Sequence, residues 1–246
     1  MSQPLIEIRE LEKSFRGRAV LNGVNLAIAA QGLTIIIGKS GEGKSVLLKH
    51  IIGLIRPDSG DVYFEGKGLK SMSRSERREL KSVMSYMFQG MALFDSLNVF
   101  DNIALPLREK FHLKESVVRE RVSRKLDELE LSEASEVFPS QLSGGMQKRV
   151  ALARALVTEP RIVLFDEPTT GLDPLRKRAV FKLVDDSRKR FGFAAVMVSH
   201  DIPEVFSIAD RVVLLDLGRV VFAGTSREAM ETDQPLMRAF LGNADG

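Results

Sequence analysis

An α/β fold is predicted, with a mostly parallel sheet flanked by helices, an antiparallel β subdomain and an inserted α-helical subdomain. Three observations predict it. Apolar runs at residues 161–165, 194–199 and 211–215 have helical stretches between them, the βαβ rhythm of a parallel sheet covered on both faces. Short β-type stretches such as Ile6-Glu7-Ile8 and Asp61-Val62-Tyr63-Phe64 fill residues 4–30 and 60–66. Between about residues 73 and 142 the strand signal disappears, and residues 114–131 instead place Val118, Val122, Leu126 and Leu129 on one face of a charged helix.

Each element has its own local cause. Residues 33–37 form a short apolar run bounded by glycines, a buried strand, and residues 46–54 read as a helix. Asp58-Ser59-Gly60 is a turn between that helix and the β stretch that follows. Asp216-Leu217-Gly218 joins the runs at 211–215 and 219–222 as a hairpin-like connection. No low-complexity linker or internal repeat interrupts the chain. Its 246 residues fit one large domain, or a core with a subdomain, and can bury a substantial core.

Composition narrows the function classes. Hydrophobic residues make up 44% and charged residues 28%, ordinary for a globular protein. No apolar run approaches the roughly 18 residues needed to span a bilayer. The start, Met1-Ser2-Gln3-Pro4-Leu5, lacks the basic and apolar regions of a signal peptide, so a cytoplasmic location is expected. The absence of cysteine excludes disulfides and thiolate metal sites. With a net charge of +3, 2 Tyr and no Trp, the chain has no aromatic-basic interleaving, and no nucleic-acid partner is expected.

Residues 38–45 carry the strongest chemical signal: Gly38-Lys39-Ser40-Gly41-Glu42-Gly43-Lys44-Ser45, a full G-x-x-x-x-G-K-[ST] phosphate loop followed by Val46. A buried strand that delivers a glycine-rich turn into a helix N-terminus presents several backbone N–H groups to a polyphosphate. Lys44 supplies a point charge for the β- and γ-phosphates, and Ser45 a hydroxyl for Mg²⁺. The chain is therefore expected to bind a nucleoside triphosphate. Glu42 brings a carboxylate near that polyanion, and its side chain is expected to face away.

Ile162-Val163-Leu164-Phe165-Asp166-Glu167 puts two acids at the end of a buried strand, where α/β sheets bind ligands. Asp166 can share the Mg²⁺ shell with Ser45, and Glu167, one residue on, can polarise an attacking water. Leu142-Ser143-Gly144-Gly145-Met146-Gln147 opens an apolar helix with Ser143 as its N-cap. That helix end is a second anion site, but without a Lys-Ser pair it cannot hold Mg-nucleotide alone. Two complementary half-sites in one chain point to a two-fold homodimer in which each copy completes the other's site.

The phosphate loop, Gln89, residues 142–147, Asp166-Glu167, Gly171-Leu172-Asp173 and His200 occur in the order found in ATP-binding-cassette ATPases. The chain resembles that family over about residues 5–240. The resemblance implies a P-loop NTPase core at about 1–88 and 158–246 and a helical subdomain at about 89–157, in one domain spanning 1–246. It further implies that Phe15 stacks on adenine, although with 14 Phe in the chain a core position is the plain alternative. Gln89 would contact Mg²⁺ and the attacking water, and Asp173 would lie across the dimer interface. His200 would touch the γ-phosphate, and Ser143, Gly144, Gly145 and Met146 would reach the partner's nucleotide. Met146 departs from the family's usual Gln, which the Ser143 and glycine backbone contacts should tolerate.

An intact Asp166-Glu167 pair implies ATP hydrolysis. Residues 84–107 are dense in Met and Phe, which suits both core and a groove receiving a partner helix. Leu93-Phe94-Asp95-Ser96-Leu97-Asn98-Val99-Phe100-Asp101-Asn102, Pro106-Leu107-Arg108-Glu109 and the segment from Ser199 to Val205 resemble the ATPase subunits of Mla/Mce-type lipid transporters. That likeness implies phospholipid transport between bacterial membranes, from the cytoplasmic face of the inner membrane. The implied partners are integral membrane permease subunits, with a lipid-binding subunit and the small regulatory subunit that some relatives recruit as additions the sequence leaves open. The alternatives are an importer ATPase for another substrate, such as amino acids, or a soluble non-transport ATPase of the same family.

Overall fold

The computed structural model describes residues 3–88, 90 and 92–242. β1 (Ile6–Phe15) and β2 (Arg18–Ile28) form an antiparallel hairpin with Ile6 opposite Ile28. β4 (Ser59–Phe64) lies antiparallel on the other edge of β1, and the two-residue β5 (Lys67–Gly68) completes a sheet of order β2-β1-β4-β5. This is the expected antiparallel subdomain.

The larger sheet has the order β10-β9-β3-β8-β7-β6. It contains β3 (Leu33–Ile37), β6 (Met84–Met87), β7 (Ile162–Asp166), β8 (Ala194–Val198), β9 (Arg211–Asp216) and β10 (Arg219–Thr225). All adjacent pairs are parallel except β9 and β10. β3, β7 and β8 are buried at every position, which is why they read as continuous apolar runs with no alternation. Alternate residues nevertheless serve two cores. Ile35 and Ile37 join Val163, Phe165 and Met197 on one face, whereas Ile36 joins Leu164, Val196 and Val198 on the other.

Helices α1 (Lys44–Ile51) and α2 (Arg74–Ser82) belong to the second face, through Leu47, Leu48, Ile51 and Leu80. α3 (Val99–Glu109), α4 (Glu115–Glu128), α5 (Gly144–Leu156) and α6 (Pro174–Phe191) bury their apolar stripes in the first. Two further short helices, α7 (Ser226–Glu231) and α8 (Pro235–Gly242), follow β10. On α4, Val118, Val122 and Leu126 are buried as the periodicity requires. α2 starts with a capping box in which Ser73 and Glu76 satisfy each other's backbone N–H groups.

One expectation is corrected. Residues 73–142 are not free of strand: Met84–Met87 is the edge strand β6, paired in parallel with β7 from Met84 opposite Ile162 to Met87 opposite Phe165. Met84-Ser85-Tyr86-Met87 has no β-branched residue, and the pairing across the sheet supplies what local propensity lacks. α2 and β6 thus sit with the sheet, and the helices that pack mainly on one another are α3, α4 and α5.

Candidate functional site

The strand order places the site. β3, β8 and β7 are adjacent, parallel and in register, with Val198 beside both Ile36 and Asp166. Their C-terminal ends therefore open side by side, at the crevice where such sheets bind ligands. The phosphate loop leaves β3, Asp166-Glu167 ends β7, and Ser199-His200-Asp201 follows β8.

In the loop, Gly43 is the N-cap of α1 with φ +92°, a conformation open to glycine, and a Cβ there would lie 2.8 Å from the Val20 carbonyl. Gly38 has no room either, since a Cβ would lie 2.3 Å from the Leu215 carbonyl. Lys44 is the first residue of α1 and is buried. Its amine donates to the carbonyls of Gly38 at 2.8 Å and Lys39 at 2.7 Å, folding the loop around its own cation. Burial pulls the Lys44 pKa down, while the charges of Glu167, Glu42 and Asp166 push it back up. Glu42 is thus within electrostatic reach of the lysine. Lys39, Ser40 and Gly41 are exposed at the tip of the loop, and Val46 is half-buried in the first turn of α1.

Asp166 is gripped at both oxygens. Ser45 Oγ donates to Oδ1 at 2.7 Å and Tyr86 Oη to Oδ2 at 2.7 Å. Tyr86, on β6, is a site residue that sequence reasoning missed. Its phenol pKa is driven far up by burial and by the hydrogen bond to Asp166. A Tyr on a half-buried strand requires a partner for its hydroxyl, and only the sheet order identifies that partner. Ser45 and Asp166 offer hard oxygen ligands of the kind Mg²⁺ takes. Among the described residues no group of three or more His, Cys, Asp or Glu could cage a metal. The ion fits here as one shared between this pair and a polyphosphate, the arrangement Mg²⁺ commonly adopts.

Glu167 turns away from the strand with φ +49°, its N–H bonded to the Val198 carbonyl at 3.1 Å. Thr170 Oγ1 donates to Glu167 Oε2 at 3.0 Å, and His200 Nδ1 is 3.6 Å from the same oxygen. The structure therefore brings Lys44, Ser45, Asp166, Glu167 and His200 to one end of the sheet. Gln89 lies outside the described residues. Phe15, at the end of β1, has an exposed ring with the Lys13 amine 5.4 Å from its centroid.

The Ser143 helix end is separate. Ser143 accepts from the Met146 N–H at 3.3 Å as the N-cap of α5, Gly144 and Gly145 are exposed, and Met146 packs against the core. Beside it is a cavity of about 360 Å³ bordered by Ser143, Gly145, Lys148, Leu172 and Arg176, and by no phosphate-loop residue. Asp173 caps α6, accepting from the Arg176 N–H at 3.0 Å and standing 3.2 Å from its guanidinium.

Asp201 is the buried keystone next to His200. It accepts from Thr169 Oγ1 at 2.5 Å and pairs with Lys177 of α6. Burial pushes its carboxyl pKa up, but the hydrogen bonds from Lys177 and Thr169 outweigh this and leave it lowered. Replacing Asp201 by Ala strands the half-buried Lys177 charge and should cost about 3 kcal/mol. A depressed carboxylate stabilises fully above its unfolded pKa and loses that contribution as pH falls through the folded value. The unfolding-temperature gap between wild type and Asp201→Ala should therefore be full at neutral pH and close as pH drops below about 4. A gap that persisted unchanged at pH 3 would exclude the ion pair as its source.

Fold and site together define an α/β ATPase with a phosphate loop at the C-terminal edge of its sheet. The ABC transporter family model matches residues 21–170, and the chain belongs to that family. It is an ATP-binding, ATP-hydrolysing subunit of an ABC transporter. Among its relatives is the intermembrane phospholipid transport system ATP-binding protein MlaF of Escherichia coli K12, 40% identical over 98% of this chain and 90% of that one. MlaF of Haemophilus influenzae is 37% identical over 100% and 94%. The probable ribonucleotide transport ATP-binding protein mkl of Mycobacterium leprae is 38% identical over 96% of this chain and 68% of its own. Of solved structures, cbiO1 of Clostridium perfringens, part of the transporter complex cbiONQ, superposes with a TM-score of 0.85 at 29% identity, covering 97% and 94%. The dimeric ATP-binding cassette MJ0796, in a post-hydrolysis state with ADP and Pi, does so with 0.78 at 30%, covering 90% and 99%. Among the described residues no helix is long and apolar enough to cross a membrane.

Proposed function

We propose that this chain powers phospholipid movement between bacterial membranes, working as a homodimer at the cytoplasmic face of the inner membrane beneath integral permease subunits. The observation that carries the reading is full-length likeness to two MlaF proteins. A lipid-binding subunit and a small regulatory subunit complete the assembly.

In this reading the loop N–H groups from Gly38 to Ser45 and the Lys44 amine hold the ATP phosphates, and the Phe15 ring stacks on the adenine. Ser45, Asp166 and Gln89 hold Mg²⁺, which when bound neutralises charge on the phosphates. Glu167 accepts a proton from the attacking water, and His200, 3.6 Å from that carboxylate, orients it and senses the γ-phosphate. Ser143, Gly144, Gly145 and Met146 close over the partner copy's nucleotide, with Asp173 at the seam. Leu54, Phe88 and Phe94 are exposed, and a cleft of about 270 Å³ bordered by Leu54, Met87, Pro106 and Arg154 suits a permease helix.

Proteoliposomes carrying the complex purified from detergent-solubilised membranes should pass a fluorescent phospholipid to acceptor vesicles only when ATP is supplied. Turnover stimulated by a ribonucleotide, with no phospholipid moved, would reject the lipid reading in favour of the mkl-type substrate.

A further inference from the structure

Lys148 is a buried cation outside the nucleotide-contacting set. It is 5% exposed, and its amine donates to the Pro168 carbonyl. It stands in the second turn of α5, the helix whose tip holds Ser143 and Gly145. Pro168 directly follows Glu167. One side chain thus runs from the half-site serving the partner's ATP to the loop bearing this chain's own water-activating carboxylate.

That loop has a second anchor as well. Thr169, 1% exposed, bonds to Asp201, and Asp201 follows His200. Residues 168 and 169 are therefore pinned to two separate elements, one to α5 and the other to the segment after β8. Thr170 then returns to Glu167 itself. Between such anchors a displacement of α5 has little slack in which to dissipate before it reaches Glu167. Burying an ammonium is costly, and what offsets it here is the Pro168 carbonyl together with the charge of Asp201.

We propose that Lys148 is a positioning residue that couples the two composite ATP sites: closure of the α5 tip on the partner's nucleotide draws Pro168, and with it Glu167, into working position in the chain's own site. The proposal rests on the homodimer reading above. The Lys148 hydrogen bond goes to the backbone carbonyl of Pro168, not to a side chain of the reacting set, so its role is to position.

Lys148→Met keeps the stem and removes the donors, while Lys148→Arg keeps charge and donors. In the full chain bound to its permease, wild type should show a Hill coefficient above 1 for ATP. Lys148→Met should bind a fluorescent ATP analogue with wild-type affinity, yet lose about tenfold in kcat and bring the Hill coefficient to 1. Lys148→Arg should restore cooperativity. Wild-type kcat and Hill coefficient in Lys148→Met would overturn the coupling, as would loss of nucleotide binding in step with kcat. A wild-type Hill coefficient of 1 would overturn it too. Light scattering of Glu167→Gln with ATP separates the two levels. A dimer there, with Lys148→Met indifferent, sinks the coupling alone; no ATP-dependent dimer sinks the homodimer reading and the coupling with it.

Discussion

Glu167→Gln is expected to lower ATP turnover by about 10²- to 10⁴-fold while nucleotide binding is retained. The substitution keeps the size of the side chain and one carbonyl acceptor for Thr170 Oγ1, now 3.0 Å from the carboxylate, so the loop should hold its shape. What disappears is the proton acceptor. In the proposed reading the phosphates are held by Lys44 and the loop N–H groups rather than by Glu167, so the ground state should be almost unaffected. With ATP bound and uncleaved, the closed dimer should accumulate. Steady-state phosphate release and size-exclusion chromatography with ATP are the measurements, and turnover within threefold of wild type would remove Glu167 from the chemistry.

Lys44→Ala should act on binding instead, weakening ATP affinity by about 100-fold, or ~3 kcal/mol, as expected when a desolvated charge partner is lost. Two effects add in the same direction. The phosphates lose their point charge, and the Gly38 and Lys39 carbonyls lose the amine that donates to them at 2.8 and 2.7 Å. Those carbonyls would turn toward the space the phosphates need. Titration with a fluorescent ATP analogue reads the loss directly, and an affinity within threefold of wild type would show that the backbone N–H groups suffice.

The two variants separate because their causes are separate. Glu167 stands beside His200 at the end of β7, whereas Lys44 is folded into the loop at the start of α1. A lowered kcat with constant affinity marks the first, and a raised apparent Kd marks the second. Any variant that lowered both, together with the unfolding temperature, would belong with Asp201, whose partners are Thr169 and Lys177.

Local chemistry made much of this protein legible from its residues. Eight consecutive positions from Gly38 to Ser45 carry their meaning in chain order, because a phosphate loop is built from backbone turned at glycines and from neighbouring side chains. The same holds for the Ser143 cap, the stripe on α4 and the apolar runs that became β3, β7, β8 and β9. Each is set by periods of two or 3.6 residues, or by a cap, within a single segment. β6 escaped because Met84-Ser85-Tyr86-Met87 is only four residues long with no β-branched residue, and its pairing with β7 makes it a strand.

Contacts between distant segments were decided by the assembled sheet. Tyr86 and Asp166 are 80 positions apart, yet meet at 2.7 Å because β6 and β7 are neighbours in register. Lys148 reaches Pro168, and Thr169 reaches Asp201, across separate elements. A hydroxyl or an ammonium has many chemically suitable partners along a chain, so residue type alone leaves the pairing open. Strand order and helix packing leave one partner within reach, and burial makes missing it costly.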